Sequence, residues 1–499
     1  MSFWSQFGRG LAWFQAILSQ RRYLRLGLLV VLFLAFGVTS FRIIKAQNEQ
    51  LFAPTSRSDF EDYYQASRLL AEGKDPYRSE QLEDIRQLSG SFNPADLFDP
   101  VKLQQIIAKF RGLGTYLYLP FTAFALLPIS GLEYHSAAAI FQAASLLSLA
   151  IMLWFLYASD RARAQNGWAE RDFTVPLVSS LILFAGLLAE NAGNGNIGFF
   201  LLLLCLPGLV LSMNDSIPRQ ILGGFLIGIA VVLKITPIFL ALVLLAYFRI
   251  FALGGLTLGI AFGLIVPGLA LGFDRNVELI QGWYALIIST YNKFVFMRPW
   301  ANNQTISGAI GKLFISGSDV KQASFGLPLL SGVTDFETVR RFGLYVKIAN
   351  AALMLTALVT SLVVLWRTFA GNFSGMIGEV LGGKKSHVDF WSNVTLVRLA
   401  FLVLLVSLVT SGVSWYHAYG MLFLPVYLRI RQSYNGQSLV LLEKIAFTTI
   451  GFFSLAPMIL SAHMRDTLAM YSIFAFGMVV IALCYAWLIL RSSEARNGI

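Results

Sequence analysis

Charge is scarce in this chain. Only 13% of its residues are Asp, Glu, Lys or Arg, while 56% are hydrophobic and the mean hydropathy is +0.66. Soluble globular domains carry about 25% charged residues, so that class is excluded. Cysteine is nearly missing too: Cys205 and Cys484 are the only two, and both sit in apolar runs. That argues against a disulfide framework and against a cysteine metal site. No window alternates polar and apolar residues as an outer-membrane barrel strand does. Walker loops, His-Glu-x-x-His, paired Cys motifs and nucleophile elbows are missing wherever their context would require them. A net charge of +11 invites a nucleic-acid reading. The basic residues, however, are scattered at the ends of apolar stretches, which marks membrane orientation rather than a phosphate-tracking surface.

What the chain has instead is a series of apolar windows of roughly 17–25 residues, the length a bilayer-crossing helix needs. Residues 1–25 hold four arginines and no acid, and Phe3, Phe7, Leu11, Phe14 and Leu18 recur at helical spacing. This predicts an amphipathic helix on the cytoplasmic leaflet, leading into an uncleaved first span at 26–43. The stretch that follows is delivered outside. Residues 44–114 carry 11 acids and 9 bases of the whole chain, a folded polar loop rather than a connector. The segment 115–130 has proline near both ends and only about 16 residues, which favours a re-entrant dip over a crossing. With that choice Arg219, Arg249, Lys384, Lys385, Arg429, Arg431 and Arg491 all face the cytoplasm. About 12 transmembrane helices result, near 26–43, 136–158, 174–190, 197–213, 220–234, 237–248, 252–272, 343–366, 393–410, 416–430, 445–461 and 467–490. The expected fold is all-α and polytopic. A membrane module covers 26–366, with a second outer loop at 273–342; a cytoplasmic loop at 367–392 and C-terminal helices over 393–499 follow. The pair 220–248 has a rival reading as one long helix kinked at Lys234 and Pro237.

Candidate functional residues crowd toward the outer face. "SRSDFEDYYQASRLLAEGKDPYR" (56–78) places Asp59, Glu61 and Asp62 within four residues. Ser58-x-x-Glu61 fits a capping box that starts a helix at Asp59, and Gly73 with Pro76 stops it. Asp59, Asp62, Tyr63 and Ala66 then share one face. Asp59 is either an acidic cap of an interfacial helix or a carboxylate that takes a proton from a substrate hydroxyl. Lys234 lies deep in an apolar run, where an ionisable residue is a functional hypothesis by default; the alternative is a snorkelling lysine at a helix break. Its natural partner is an anion such as a lipid phosphate. "ENAGNGNIGFF" (190–200) offers Asn194 and Asn196 either to sugar hydroxyls or to a plain tight turn. "RPWANNQTISG" (298–308) combines Arg298, Trp300, Asn302, Asn303 and Gln304. "SGVSWYHAYG" (411–420) brings Trp415 and His417 to an outer span end, with Tyr416 and Tyr419 read as interfacial-belt residues.

Taken in order, "DFEDYYQASRLLAEGKDPY", "YLYLPFTAFALLPIS", "GNGNIGFFLLLL", "LKITPIFLALVLLAYFR", "NNQTISGAI" and "SGVSWYHAYGMLFLPV" resemble glycosyltransferase family 87 over residues 20–430. The family comprises GT-C-type membrane enzymes, among them the mannosyltransferases of phosphatidylinositol mannoside synthesis. The resemblance implies a GT-C fold in the inner or plasma membrane, with its active site on the periplasmic or extracytoplasmic side. It implies transfer of a hexose such as mannose, or of a pentose, from a polyprenyl-phosphate donor to a lipid or glycan acceptor. Its catalytic carboxylate maps onto Asp59, with Asp62 as the second choice. Lys234, Arg298 and His417 are then expected on the donor phosphate. Tyr63, Asn194, Asn196, Asn302, Asn303, Gln304 and Trp415 are expected on the acceptor or sugar. The family often has Gln where this chain has Asn194 or Asn196. No metal and no cofactor beyond the lipid-linked donor is expected, and no nucleic-acid partner. The competing class is a multi-span transporter or lipid-linked-sugar flippase, which would carry its charges along a midplane pathway and show internal repeats.

Overall fold

The computed structural model describes residues 37, 41, 45, 51–52, 58–77, 116–164, 174–289, 302–314, 336–368 and 390–491. The expected amphipathic helix at 1–25, most of the first span, the bulk of loop 367–392, Arg298 and Trp300 lie outside them. Every regular element among the described residues is helical. In chain order they are α1 (Asp59–Ala71), α2 (Pro120–Ala125), α3 (Leu127–Ser130), α4 (Tyr134–Ala164), α5 (Thr174–Leu183), α6 (Ala185–Gly193), α7 (Gly198–Ser212), α8 (Ile217–Leu233), α9 (Leu240–Ala246), α10 (Ile250–Leu271), α11 (Phe273–Trp283), α12 (Ile306–Phe314), α13 (Phe336–Thr368), α14 (Val394–Thr410), α15 (Phe423–Tyr434), α16 (Leu441–Ile459), α17 (Ala462–Met470) and α18 (Ile473–Arg491). Short 3-10 turns at Thr236–Phe239 and Tyr416–Leu422 precede α9 and α15.

Among the described residues, five helices are long and apolar enough to cross a membrane: α4, α10, α13, α16 and α18. The pair α5–α6 adds a broken sixth, bent by 62°. The bend is capped from a neighbour: Gly186 N and Leu187 N, at the start of α6, donate to Ser454 Oγ of α16 at 3.1 and 3.4 Å. Donors freed by the break thus find a partner, as an apolar surrounding demands.

Side-chain anchors fix the course of the chain at two of the expected breaks. Residues 120–130 form only α2 and α3, far short of the roughly 20 residues a crossing needs. Just before this segment, Tyr118 OH receives the Tyr63 hydroxyl of α1 at 2.9 Å. Just after it, Leu132 O receives that of Tyr64 at 2.6 Å. Adjacent residues of one helix hold both ends, so the two ends of the segment lie beside α1. At Lys234 the backbone turns extended, with φ −153° and ψ 125°. Arg249, beyond α9, donates to Met213 O, just before α8, at 3.1 Å. Arms α8 and α9 therefore run up and back; a single kinked helix would separate those two residues by its full length. Against α10, α8 packs with almost no separation. A Cβ on Gly224 would stand 1.8 Å from Ala252 O and one on Gly255 2.1 Å from Ile221 O, so only glycine permits this approach.

At the bundle end opposite Asp59, Glu443 of α16 is fully buried between two arginines. Arg398 Nε and Arg429 Nε approach its Oε1 at 2.9 and 2.6 Å, and Arg429 Nη2 its Oε2 at 3.0 Å.

Candidate active site

The first helix starts where local chemistry sets it. Ser58 Oγ accepts from Glu61 N at 3.2 Å, the serine half of the capping box. Gly73, at φ +72°, ends the helix, with Lys74 N donating to Leu69 O. The tyrosines of this stretch seat the helix on protein rather than on the membrane surface. Tyr77 OH donates to Tyr118 O, and Phe60 packs 4.8 Å from Phe141. Tyr63, Tyr64 and Tyr77 are all buried.

That docking delivers Asp59 to residues far away in sequence. The turn after α6 approaches α1 through Gly195, whose φ of +61° and 2.7 Å distance from a Cβ to Phe60 Cβ exclude any side chain. One residue on, Asn196 Nδ2 donates to Asp59 Oδ2 at 2.7 Å and to Tyr63 OH at 3.3 Å. Its Oδ1 receives Gly198 N at 3.0 Å and Asn191 Nδ2 at 3.4 Å. His417 Nε2 stands 3.4 Å from the same Asp59 oxygen, and its Nδ1 is 3.9 Å from Glu190 Oε1. Trp415 packs edge-on to the imidazole at 5.8 Å. Tyr63 passes its proton donor on to Tyr118. Burial pushes both phenols well above the usual tyrosine range, so they remain protonated donors at any working pH.

Asp59 keeps one free edge. Its side chain is 16% exposed, and Oδ1 has no hydrogen-bond partner among the described residues. Lys234 lines one small cavity, about 10 Å³, with Asn191, Asn196 and His417. Its ammonium lies 6.0 Å from the Tyr118 ring centroid and has neither a hydrogen bond nor an ion pair among the described residues. A cavity of that size holds about one water; a sugar must therefore meet Asp59 from its exposed edge. On the other flank of α1, Glu61, Tyr64, Gln65, Arg68, Glu133 and Tyr134 border an open cleft of about 630 Å³. Partial burial raises Glu61 above its ordinary range there.

The chain matches the family model for glycosyltransferase family 87 over residues 116–379, more than half its length. The chain belongs to glycosyltransferase family 87. Searches of curated proteins and of solved structures returned no match. This family-87 member is accordingly a membrane glycosyltransferase. The matched span contains Lys234, Asn194, Asn196 and the 302–304 segment, whereas Asp59 and His417 lie outside it, so their grouping rests on geometry alone.

Several expected sugar contacts have other occupations in this family-87 chain. Asn303 and Gln304 are buried and tie a loop to its neighbours: Asn303 Nδ2 donates to Gly412 O, and Gln304 Nε2 to Ala469 O. Asn196 is equally buried and holds Asp59. Asn194 contributes its backbone oxygen to Phe60 N at 3.4 Å. Asn302 is exposed, and Asp62 sits half-buried beside the Tyr63–Tyr118 pair. Tyr419, expected in the interfacial belt, is instead fully buried and donates to Gln304 O at 2.6 Å. Three members of the site were missed: Tyr118, Glu190 and Asn191. Glu190 carried a readable signal, since a carboxylate closing an apolar span is a functional candidate by default.

Proposed function

We propose that this enzyme transfers a sugar from a polyprenyl-phosphate donor to a lipid or glycan hydroxyl on the non-cytoplasmic face of the cell membrane. Asp59 acts as general base and Lys234 holds the donor phosphate. The observation that carries the proposal is the pairing of a carboxylate oxygen without a hydrogen-bond partner with an ammonium that makes no hydrogen bond or ion pair among the described residues. The two are linked through Asn196 and His417, at one end of the bundle. An ammonium among apolar helices is costly unless an anion joins it, and a phosphate monoester or diester supplies one.

In this reading the acceptor O–H donates to Asp59 Oδ1. The oxygen attacks the anomeric carbon in line as the C–O bond to phosphate breaks. The proton passes to Asp59, the bonding pair leaves with the phosphate, and one displacement inverts the anomeric centre. Lys234 stabilises the charge that grows on the leaving phosphate, with Arg298 as a further candidate. His417, first expected on that phosphate, takes a role beside the base in this reading, supported by its Nε2 standing 3.4 Å from Asp59 Oδ2. A donor delivered on a lipid fits an outward site, because nucleotide sugars are cytoplasmic.

The test is an assay of purified protein in lipid nanodiscs against polyprenyl-phosphate hexoses and pentoses, with nucleotide sugars in parallel. The reading expects turnover with a polyprenyl-phosphate donor and inverted anomeric configuration in the product. Transfer only from nucleotide sugars, or movement of lipid-linked sugar across the bilayer without transfer, would overturn it.

A further inference from the structure

We propose that Glu190 is a positioning and proton-exit residue, acting on Asp59 through His417; the inference rests on Asp59 being the base. His417 is 3% exposed and lies between two carboxylates, with Nε2 3.4 Å from Asp59 Oδ2 and Nδ1 3.9 Å from Glu190 Oε1. Its Nδ1 is buried without a hydrogen-bond partner. A buried ring nitrogen left unpaired is costly, and the nearest group able to satisfy it is Glu190. At 3.9 Å the contact is too long to be a hydrogen bond. Catalytic contacts of this kind commonly tighten once substrate is bound.

The need for such a route follows from the closure of the site. Once donor and acceptor cover the exposed edge of Asp59, the proton taken from the acceptor hydroxyl has no direct path to water. Glu190 is 21% exposed and reaches solvent where the imidazole does not. Rotation of the protonated Asp59 carboxyl brings its proton from the Oδ1 side to face His417; the neutral imidazole, protonated at Nδ1, accepts that proton at Nε2 and releases its Nδ1 proton to the Glu190 carboxylate. Asp59 is returned ionised, Glu190 loses the proton to water, and the imidazole re-tautomerises before the next turnover.

The charged and titratable groups around the imidazole are few. Asp59 faces it from α1, Glu190 from α6 and Lys234 from the end of α8. Of the other helices packed against the 416–422 turn, α7 carries only Cys205. Helix α14 carries only Arg398, and α15 carries Tyr427, Arg429, Arg431 and Tyr434. Arg398 and Arg429 are committed to Glu443 at the opposite end.

The experiment is the pH profile of kcat for wild type, Glu190→Gln and Glu190→Asp in nanodiscs, with KM for donor and acceptor measured alongside. Glu190→Gln is expected to lower kcat about 10–100-fold, with both KM values held, a changed pH profile and an enlarged solvent deuterium isotope effect. Glu190→Asp is expected to recover part of the loss, and added formate to restore turnover to Glu190→Ala. A Glu190→Gln enzyme with wild-type kcat, pH profile and isotope effect would overturn the relay while leaving Asp59 as base. A Glu190→Ala enzyme that folds and is not restored by formate would overturn it as well. Retained activity in Asp59→Asn, by contrast, would remove the reading on which the relay rests.

Discussion

Two carboxylates, one fully buried and one with an exposed edge, sit at opposite ends of this bundle, and their surroundings differ in kind. Glu443 is saturated: Arg398, Arg429 and Val440 N occupy both its oxygens, and Arg429 extends to the carbonyls of Gln437 and Ser438. Asp59 is held by one amide on one oxygen, with an imidazole nitrogen 3.4 Å from that oxygen and its second oxygen without a hydrogen-bond partner among the described residues. A carboxylate whose lone pairs all meet fixed cations has nothing to offer a substrate. One left partly unsatisfied, next to an imidazole and near an ammonium that makes no ion pair among the described residues, is equipped for chemistry. The cost of the second arrangement is carried by the docking of α1, through Tyr63, Tyr64 and Gly195.

The comparison breaks most visibly at the saturated end. Glu443→Ala leaves two buried guanidinium groups facing each other, and is expected to cost about 3–5 kcal/mol of stability. Thermal unfolding in detergent reads this as a lowered midpoint, while turnover per folded molecule stays at the wild-type level. Lys234→Ala is expected to do the reverse. The midpoint is held, while donor binding weakens by about 1.5–3 kcal/mol, the range of a charged hydrogen bond; titration with a polyprenyl-phosphate sugar reads it. Unchanged donor affinity there would leave Lys234 as a snorkelling lysine at a helix break. The smallest effect belongs to Tyr63→Phe. It removes the donor to Tyr118 and the acceptor of Asn196, and is expected to cost about 1 kcal/mol of stability. Its kcat should fall by a factor of a few, because the short Asn196–Asp59 bond remains.

How much of this was legible in the sequence depends on the range of the interactions involved. Serine and glycine punctuation act within a few residues, so the start of α1 at Asp59 and its stop at Gly73 follow from the sequence. So does the break at Lys234 before Pro237. That residues 120–130 form only short helices follows from the segment's length and prolines. The grouping around Asp59 does not, because Asn196 lies 137 residues away and no local pattern encodes that approach. Asn303 and Gln304 show the converse failure. An amide that reaches for a sugar and one that ties down a backbone carbonyl have the same sequence signature. Only burial against Gly412 and Ala469 separates them. Lys312 escaped notice for a related reason: it reads as a last-turn lysine, yet is buried and donates to Asn303 O and Ala469 O. Burial lowers its ammonium to about 7.

The central claim, that Asp59 is the base, is tested most directly by the turnover of Asp59→Asn on a polyprenyl-phosphate sugar, measured beside its thermal midpoint. Asparagine keeps the shape of the side chain and can still meet Asn196, so the fold is expected to persist. With no base to take the acceptor proton, kcat is expected to fall about 10²–10⁴-fold. An Asp59→Asn protein that melts like the wild type and transfers sugar at the wild-type rate would contradict the account.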